Sequence, residues 1–330
     1  AYAKGKLSAN VILDSVRDLS GRFDLKSSGQ AESSIVKKEL GVNVGKQLNY
    51  DAIINGKIKN RKAHTDIKLN TTIGKLDMTD MTYDIAEGVL QSSYHLYIPD
   101  LSKLQPLTER RFRGDMDFRG KITKAEDLVI TGEGKEFDGS VAYKLVNDRI
   151  KAEAHGATVS KVMYMLGYPQ VVEALSEAEV DYNFATKSGK VDAKLDSTRI
   201  LSSQLTILLK QLTGIDLTNE LYNQATFVST LTPAKINFDF IAQNINSHFK
   251  IKNGILDKRN EGINAVVDMR YKEKDLKARI TGTLKNPKVS IDASEYLKSK
   301  VEKKVDKLIE KKFKDKGDGQ IKGLLKGFLK

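Results

Sequence analysis

The sequence predicts a mainly β protein built around one long antiparallel sheet. Three observations carry that expectation. Apolar and polar residues alternate with period two along most of the chain, turn-forming Gly, Asn and Asp recur at short intervals, and only 5 prolines interrupt 330 residues. Strand following strand at such spacing is most simply joined by hairpins, each strand pairing with its sequence neighbours.

Taken in order, a strand is expected over 7–13, where Leu7, Ala9, Val11 and Leu13 alternate with Ser8, Asn10 and Ile12. Further strands follow near 23–26, 48–52, 67–69, 73–76 and 94–98, punctuated by Gly or Asn. Alternation is cleaner beyond residue 140. Val141, Tyr143 and Leu145 run into the turn chemistry of Asn147-Asp148, after which Ile150, Ala152 and Ala154 return on the same face. Val180, Tyr182 and Phe184 precede a turn at Lys187-Ser188-Gly189, and Val191, Ala193 and Leu195 return from it. Ile236, Phe238 and Phe240, then Val267, Met269 and Tyr271, then Leu276, Ala278 and Ile280 repeat the plan. Four segments show helical spacing instead: 33–40; a Met-rich stretch over 158–178 that Gly167 and Pro169 interrupt and that includes Val172 and Leu175; 201–222, with a break at Gly214; and a last helix from about 293 to 316. The expected organisation is an N-terminal sheet segment over 1–110, a second over 111–292 that carries the helices near 158–178 and 201–222, and a basic amphipathic tail over 293–330.

Charge is uneven. The chain carries a net +12, yet residues 298–330 hold twelve lysines against Glu302, Asp306, Glu310, Asp315 and Asp318, a net of +7. The nearly neutral body lacks the basic face with interleaved aromatics that nucleic acid requires, so no nucleic-acid partner is expected. Within the tail, Leu297, Val301, Val305 and Phe313 form a narrow apolar stripe, and Leu324, Leu325 and Phe328 close the chain. These seven residues are the candidates for contact with a membrane surface or a protein partner.

Chemistry is hard to place. With no cysteine there is no disulfide, thiolate metal site or cysteine nucleophile, and 4 scattered histidines make a poor metal set. Ser34-Ile35-Val36-Lys37 matches a Ser-x-x-Lys nucleophile pattern but lacks the companion motifs. Asp115-Met116-Asp117 puts two carboxylates on one strand face beside Arg113 and Arg119, which reads as a solvated face. No catalytic residue, metal or cofactor is expected, and the chain is read as a non-enzyme.

What remains is an apolar sheet face that something must cover. Pattern alone admits two answers: packing on helices or a second sheet as an ordinary core, or an open curled sheet whose apolar face holds acyl chains. The proposed lining is Val141, Tyr143, Leu145, Val180, Tyr182, Phe184, Ile236, Phe238, Phe240, Met269, Tyr271, Leu276 and Ile280.

Two segments bear on the choice. Arg113-Gly114-Asp115-Met116-Asp117-Phe118-Arg119-Gly120 and, more specifically, Gly282-Thr283-Leu284-Lys285-Asn286-Pro287-Lys288-Val289 resemble the AsmA-like family of Gram-negative envelope proteins, the group that includes TamB. The Lys-rich segment and the Leu-Leu-Lys-Gly-Phe-Leu end that follow, and Asp100 to Leu107 before the first segment, resemble the same family over about residues 95–330. The resemblance implies a long curled antiparallel sheet, a taco-like β-groove with a few capping helices and a C-terminal amphipathic helix. It implies a periplasmic protein, anchored in the inner membrane through an N-terminal segment absent from this chain, that shields phospholipid or other acyl lipid between the two membranes. The competing expectation is an envelope assembly or scaffold factor that binds an outer-membrane biogenesis protein through strand edges or the basic C-terminal helix.

Overall fold

Each interior strand of the sheet pairs with the strand before it and the strand after it, always antiparallel, so the eighteen described strands form a single meander. The computed structural model describes residues 4–17, 20–40, 43–45, 47–271 and 274–291. In order the strands are β1 (Lys4–Ser15), β2 (Ser20–Glu32), β3 (Gln47–Lys59), β4 (Lys62–Thr71), β5 (Lys75–Asp84), β6 (Val89–Ile98), β7 (Met116–Lys124), β8 (Leu128–Gly134) and β9 (Ser140–Val146). They continue with β10 (Arg149–Thr158), β11 (Val172–Asn183), β12 (Ser188–Ile200), β13 (Gln224–Leu231), β14 (Lys235–Gln243), β15 (Ser247–Asp257), β16 (Ile263–Tyr271), β17 (Lys274–Gly282) and β18 (Pro287–Ile291). At roughly 4.8 Å per strand the ladder runs about 80 Å when measured along the sheet. The ladder passes through the expected division at 110 without a break, because β6 pairs with β7. The expected tail helix over 293–330 lies outside the described residues.

A meander sends every connection that follows an odd strand to one rim and every connection that follows an even strand to the other. The two rims differ. Odd-to-even connections are tight turns such as Asn60-Arg61 and Asn147-Asp148, in which Asn60, Arg61 and Asn147 adopt the left-handed conformation that suits short hairpins. Even-to-odd connections carry all the described helices: α1 (Ser33–Leu40), a 3₁₀ turn at Leu101–Leu104 with α2 (Gln105–Thr108), α3 (Val159–Met165), and α4 (Gln204–Thr213) with a 3₁₀ turn at Leu217–Asn219.

Two helical expectations change. The helix near 158–178 ends at Met165, and Val172 to Ala178 belong to β11, where Ala174, Ser176 and Ala178 face inward and Glu173, Leu175, Glu177 and Glu179 alternate with them. Small inner residues muted the alternation, and β-branched Val172 favours the strand. The helix over 201–222 is shorter and sharply bounded. Ser203 and Thr206 form a reciprocal cap, Gly214 ends the helix at φ 71°, and Tyr222 joins Thr198 in an isolated bridge.

One apolar row faces inward along the whole ladder while charged side chains alternate on the other face. Its coverage is unequal. From the β12–β13 connection, α4 packs against β18, and Leu209, Ile215, Leu217 and Tyr222 bury with Phe240, Phe249, Val267, Met269, Leu276 and Ile280 into one cluster. A ten-residue helix is about 15 Å long, whereas β13 and β18 would lie about 24 Å apart in a flat sheet, so the last strands bend around α4. Bulges supply bending elsewhere. Asp80, Gly156 and Asn253 adopt positive φ at register shifts, and their backbone N–H groups donate to Asp66, Glu177 and Asp239 on the adjacent strands.

Because Met269 is fully buried under α4, Met269→Ala is expected to cost about 2–5 kcal/mol in urea unfolding. Val228→Ala, on the outer face at 47% exposure, is expected to stay within about 0.5 kcal/mol of the parent chain.

Candidate functional site

The inner row can be followed strand by strand through the register. Leu145 of β9 stands opposite Ile150 of β10 and Ile130 of β8, and Ile130 stands opposite Ile122 of β7. On the other side Ile150 faces Tyr182, Ala152 faces Val180, and Val180 faces Val191. Toward the N-terminus Leu96 faces Leu76, Leu76 faces Leu69, and Ile67 faces Ile54. All of these side chains are half-buried. No helix among the described residues packs substantially on β3 through β9.

Against this row the thirteen expected lining residues fall into three groups. Val141, Tyr143, Leu145, Val180, Tyr182 and Ile236 are half-buried members of the row. Phe240, Met269, Leu276 and Ile280 are buried, and with partly buried Phe238 and Tyr271 they belong to the sealed cluster under α4. Phe184 departs from the expected pattern. β11 ends at Asn183, so Phe184 opens the turn, 52% exposed, with its ring edge-on to Tyr182 at 5.2 Å. The seven tail candidates, Leu297, Val301, Val305, Phe313, Leu324, Leu325 and Phe328, lie outside the described residues.

The sequence reading overlooked a device that keeps the row continuous: an aromatic ring laid over a glycine on the neighbouring strand. A Cβ on Gly56 would stand 2.5 Å from Phe23 Cζ, one on Gly254 2.6 Å from Phe238 Cζ, and one on Gly189 2.8 Å from Tyr182 Cδ2. The largest instance lies between β6 and β9. Gly120 and Gly132 stand opposite each other on β7 and β8, flanked by Tyr94 and Tyr143, whose hydroxyls meet at 2.6 Å across the gap. Phe118 closes edge-on to Tyr143 at 5.2 Å. Burial, and then the Tyr143 hydroxyl, push the Tyr94 phenol up, so Tyr94 stays neutral at physiological pH. Glycine paired with aromatics in cross-strand register is a signal visible only once the register is known.

Ionisable groups sit mainly on the outer face as cross-strand pairs. Arg149 clasps Asp181 with two guanidinium nitrogens, and Arg270 clasps Asp275 likewise. Three of the four histidines join the pattern: His95 with Asp117 at 2.7 Å, His155 with Glu177 at 2.6 Å, and His248 with Asp268 at 3.4 Å. Ser34 and Lys37 are both exposed on α1. Asp115 and Asp117 approach Glu136, whose carboxyl burial holds up, the Asp117 amide opposes, and the two aspartates raise further. Among the described residues no group of three or more His, Asp or Glu side chains is arranged to hold a metal, and no helix is long and apolar enough to cross a membrane.

A shallow cleft of about 1040 Å³ opens on the helical rim between the β4–β5 turn and α2, lined by Ile73, Gly74, Ser102, Lys103 and Pro106 among others. It stands apart from the inner row. Searches against family models, curated proteins and solved structures return no match for this chain.

Gly132→Val would drive a branched side chain into Tyr94 and Tyr143, with an expected cost of about 1–3 kcal/mol in chemical unfolding.

The His155–Glu177 pair yields a pH signature. Glu177 raises the His155 pKa above 6.5, so its stabilising effect is complete below 6.5 and is lost as pH rises through the raised value. His155, and then the Gly156 amide, lower the Glu177 pKa beneath 4.5, so that contribution is complete above 4.5 and is lost as pH falls through the lowered value. In an NMR titration His155 is expected to titrate above 6.5, and Glu177→Gln to bring its midpoint back toward 6.5.

Proposed function

We propose that the protein is a non-enzymatic lipid-binding and lipid-transport module of the Gram-negative cell envelope, working in the periplasm, where its inner sheet face shields phospholipid acyl chains while headgroups remain in water. The observation that carries this reading is the apolar row across β2 to β11, half-buried at most positions although Tyr94, Ile98 and Phe118 are buried, with no described helix packed substantially on β3 through β9. Aliphatic tails need surface, not directed polar groups, and a face of alternating Ile, Leu, Val and aromatic residues fits them. The likeness of 113–120 and 282–289 to AsmA-like sequences supports the same reading.

Curling of the middle of the sheet is part of the proposal. What supports it is local bending: register shifts at Asp80 and Gly156 place bulges within β4 to β6 and β10 to β11, and bulges bend and twist the strands that carry them.

The two expected face classes can be separated in cells. Photo-crosslinking residues replacing Leu145 and Val180 are expected to capture phospholipid, and one replacing outward Lys144 is not. Native mass spectrometry of the purified chain should show bound phospholipid. A lipid-free chain with no capture at either inner position would overturn the proposal.

A further inference from the structure

We propose that the β6–β7 connection, fastened to α3 and the loop after it, is a phosphate site in which Arg110, Arg111 and Arg113 bind the headgroup of an anionic phospholipid whose acyl chains lie on the inner row. The inference rests on the lipid reading above and adds to it the place and the charge of the headgroup.

The inner row reaches the helical rim at this connection. Ile98, buried at the end of β6, stands opposite Met116 at the start of β7, and the three arginines fall within the residues that join those strands. All three are exposed. Apolar surface gives way to cationic surface within a few residues, the order in which a phospholipid passes from tail to phosphate.

Two of the guanidiniums are positioned by aromatic rings. Arg113 lies over Tyr164 of α3 with its Cζ 5.4 Å from the ring centre, and Arg110 lies over Tyr168 at 5.2 Å. Arg110 also donates to the Tyr168 hydroxyl at 2.7 Å, and the Arg113 backbone amide donates to the Met165 carbonyl at 3.0 Å, so the connection is tied down at both arginines. A guanidinium that rests its face on a ring keeps its edge donors for a second partner, and that planar fork matches the spacing of phosphate oxygens.

No carboxylate takes the second place. Arg149, Arg259 and Arg270 each hold an aspartate, whereas among the described residues none of Arg110, Arg111 and Arg113 is ion-paired. The acids of the same connection are engaged elsewhere. Asp100, which feels the charge of Arg111, accepts from the Ser102 amide at 2.9 Å and caps the 3₁₀ turn. Glu109 lines the rim cleft, and Asp115 bears on Glu136. Residues 298–330, with their net of +7, are ill suited by charge to cover three arginines.

Calorimetric titration of the full 330-residue chain with dihexanoyl phosphatidylglycerol, kept below its micelle concentration, tests the site. The parent chain is expected to bind it, and Arg110→Gln combined with Arg113→Gln to weaken binding roughly tenfold. Lys144→Gln combined with Lys151→Gln removes the same charge from an exposed cross-strand pair on the outer face and is expected to change nothing. Circular dichroism checks that the variants fold. Should the double arginine variant fail that check, Arg113→Lys, which keeps the charge and loses the fork, is expected to weaken binding about threefold. Inorganic phosphate is expected to bind far more weakly than the lipid, and equal affinity for the two would mark a site for free phosphate and overturn the assignment. A parent chain that binds no phosphatidylglycerol, or a folded double variant that binds it as the parent does, would overturn it as well. Lipid capture at Leu145 judges the acyl reading separately, so the two can fail independently.

Discussion

An antiparallel meander that buries one face only has to find cover for that face, and the arrangement of this protein follows from how it does so. Sequential pairing gives each backbone amide of the interior strands a partner at low topological cost, since every contact in the ladder is between neighbours in the chain. It brings no second layer. Cover must come from insertions, and a meander allows them at either rim. Here the described helices all lie in even-to-odd connections, and one of them, α4, folds inward far enough to meet β18. Among the described residues the sheet is covered by α4 at its last strands and carries no substantially packed helix on β3 through β9.

In the open part the row supports itself by complementary size. Glycine in a strand forfeits packing and backbone entropy, and its presence at Gly56, Gly120, Gly132, Gly189 and Gly254 would be a weakness if each stood alone. Rings from adjacent strands fill those gaps, so the aromatics lie flat along the sheet instead of standing up from it. The Tyr94–Tyr143 contact carries the principle furthest, with two hydroxyls satisfying each other above two glycines. Carboxylates on the opposite face take up the amides that the bulges free, as Glu177 does for Gly156 while also holding His155. Inner bulk and outer charge thus shape the same sheet from its two sides.

Much of this was legible in the sequence, and what was not has physical reasons. The hairpin of Val141, Tyr143 and Leu145 with Ile150, Ala152 and Ala154 could be read because alternation and an Asn-Asp turn coincide. β11 was misread at its start because Ala174, Ser176 and Ala178 bury well while contributing little hydrophobic contrast. Phe184 continued the alternation by one residue, but the turn had already begun. The deeper ambiguity lay between Leu145 and Met269, which occupy equivalent places in the pattern and meet opposite fates. Only the return of residues 204–213 to residues 287–291 separates a sealed position from an open one, and no local periodicity encodes a contact across that distance. The glycine–aromatic pairs were hidden for the same reason, since register links residues such as 94, 132 and 143.

The half-exposed row also sets a demand that helps to weigh its possible covers. Apolar surface left in water forgoes about 25 cal/mol per Å², and a row running from Leu25 to Val191 forgoes it on strand after strand. A protein whose inner face simply formed a core would cover that row as α4 covers the last strands, with residues such as Leu209 and Leu217. Here the inserted helices of the first ten strands are short and pack at the rim, against β2, β10 and β11. None of these described helices packs substantially on β3 through β9. On the proposed lipid-binding reading, an acyl chain on this face would be held by apolar contact along the row, which needs surface and not directed polar groups. The row itself follows from period-two alternation continued through consecutive hairpins.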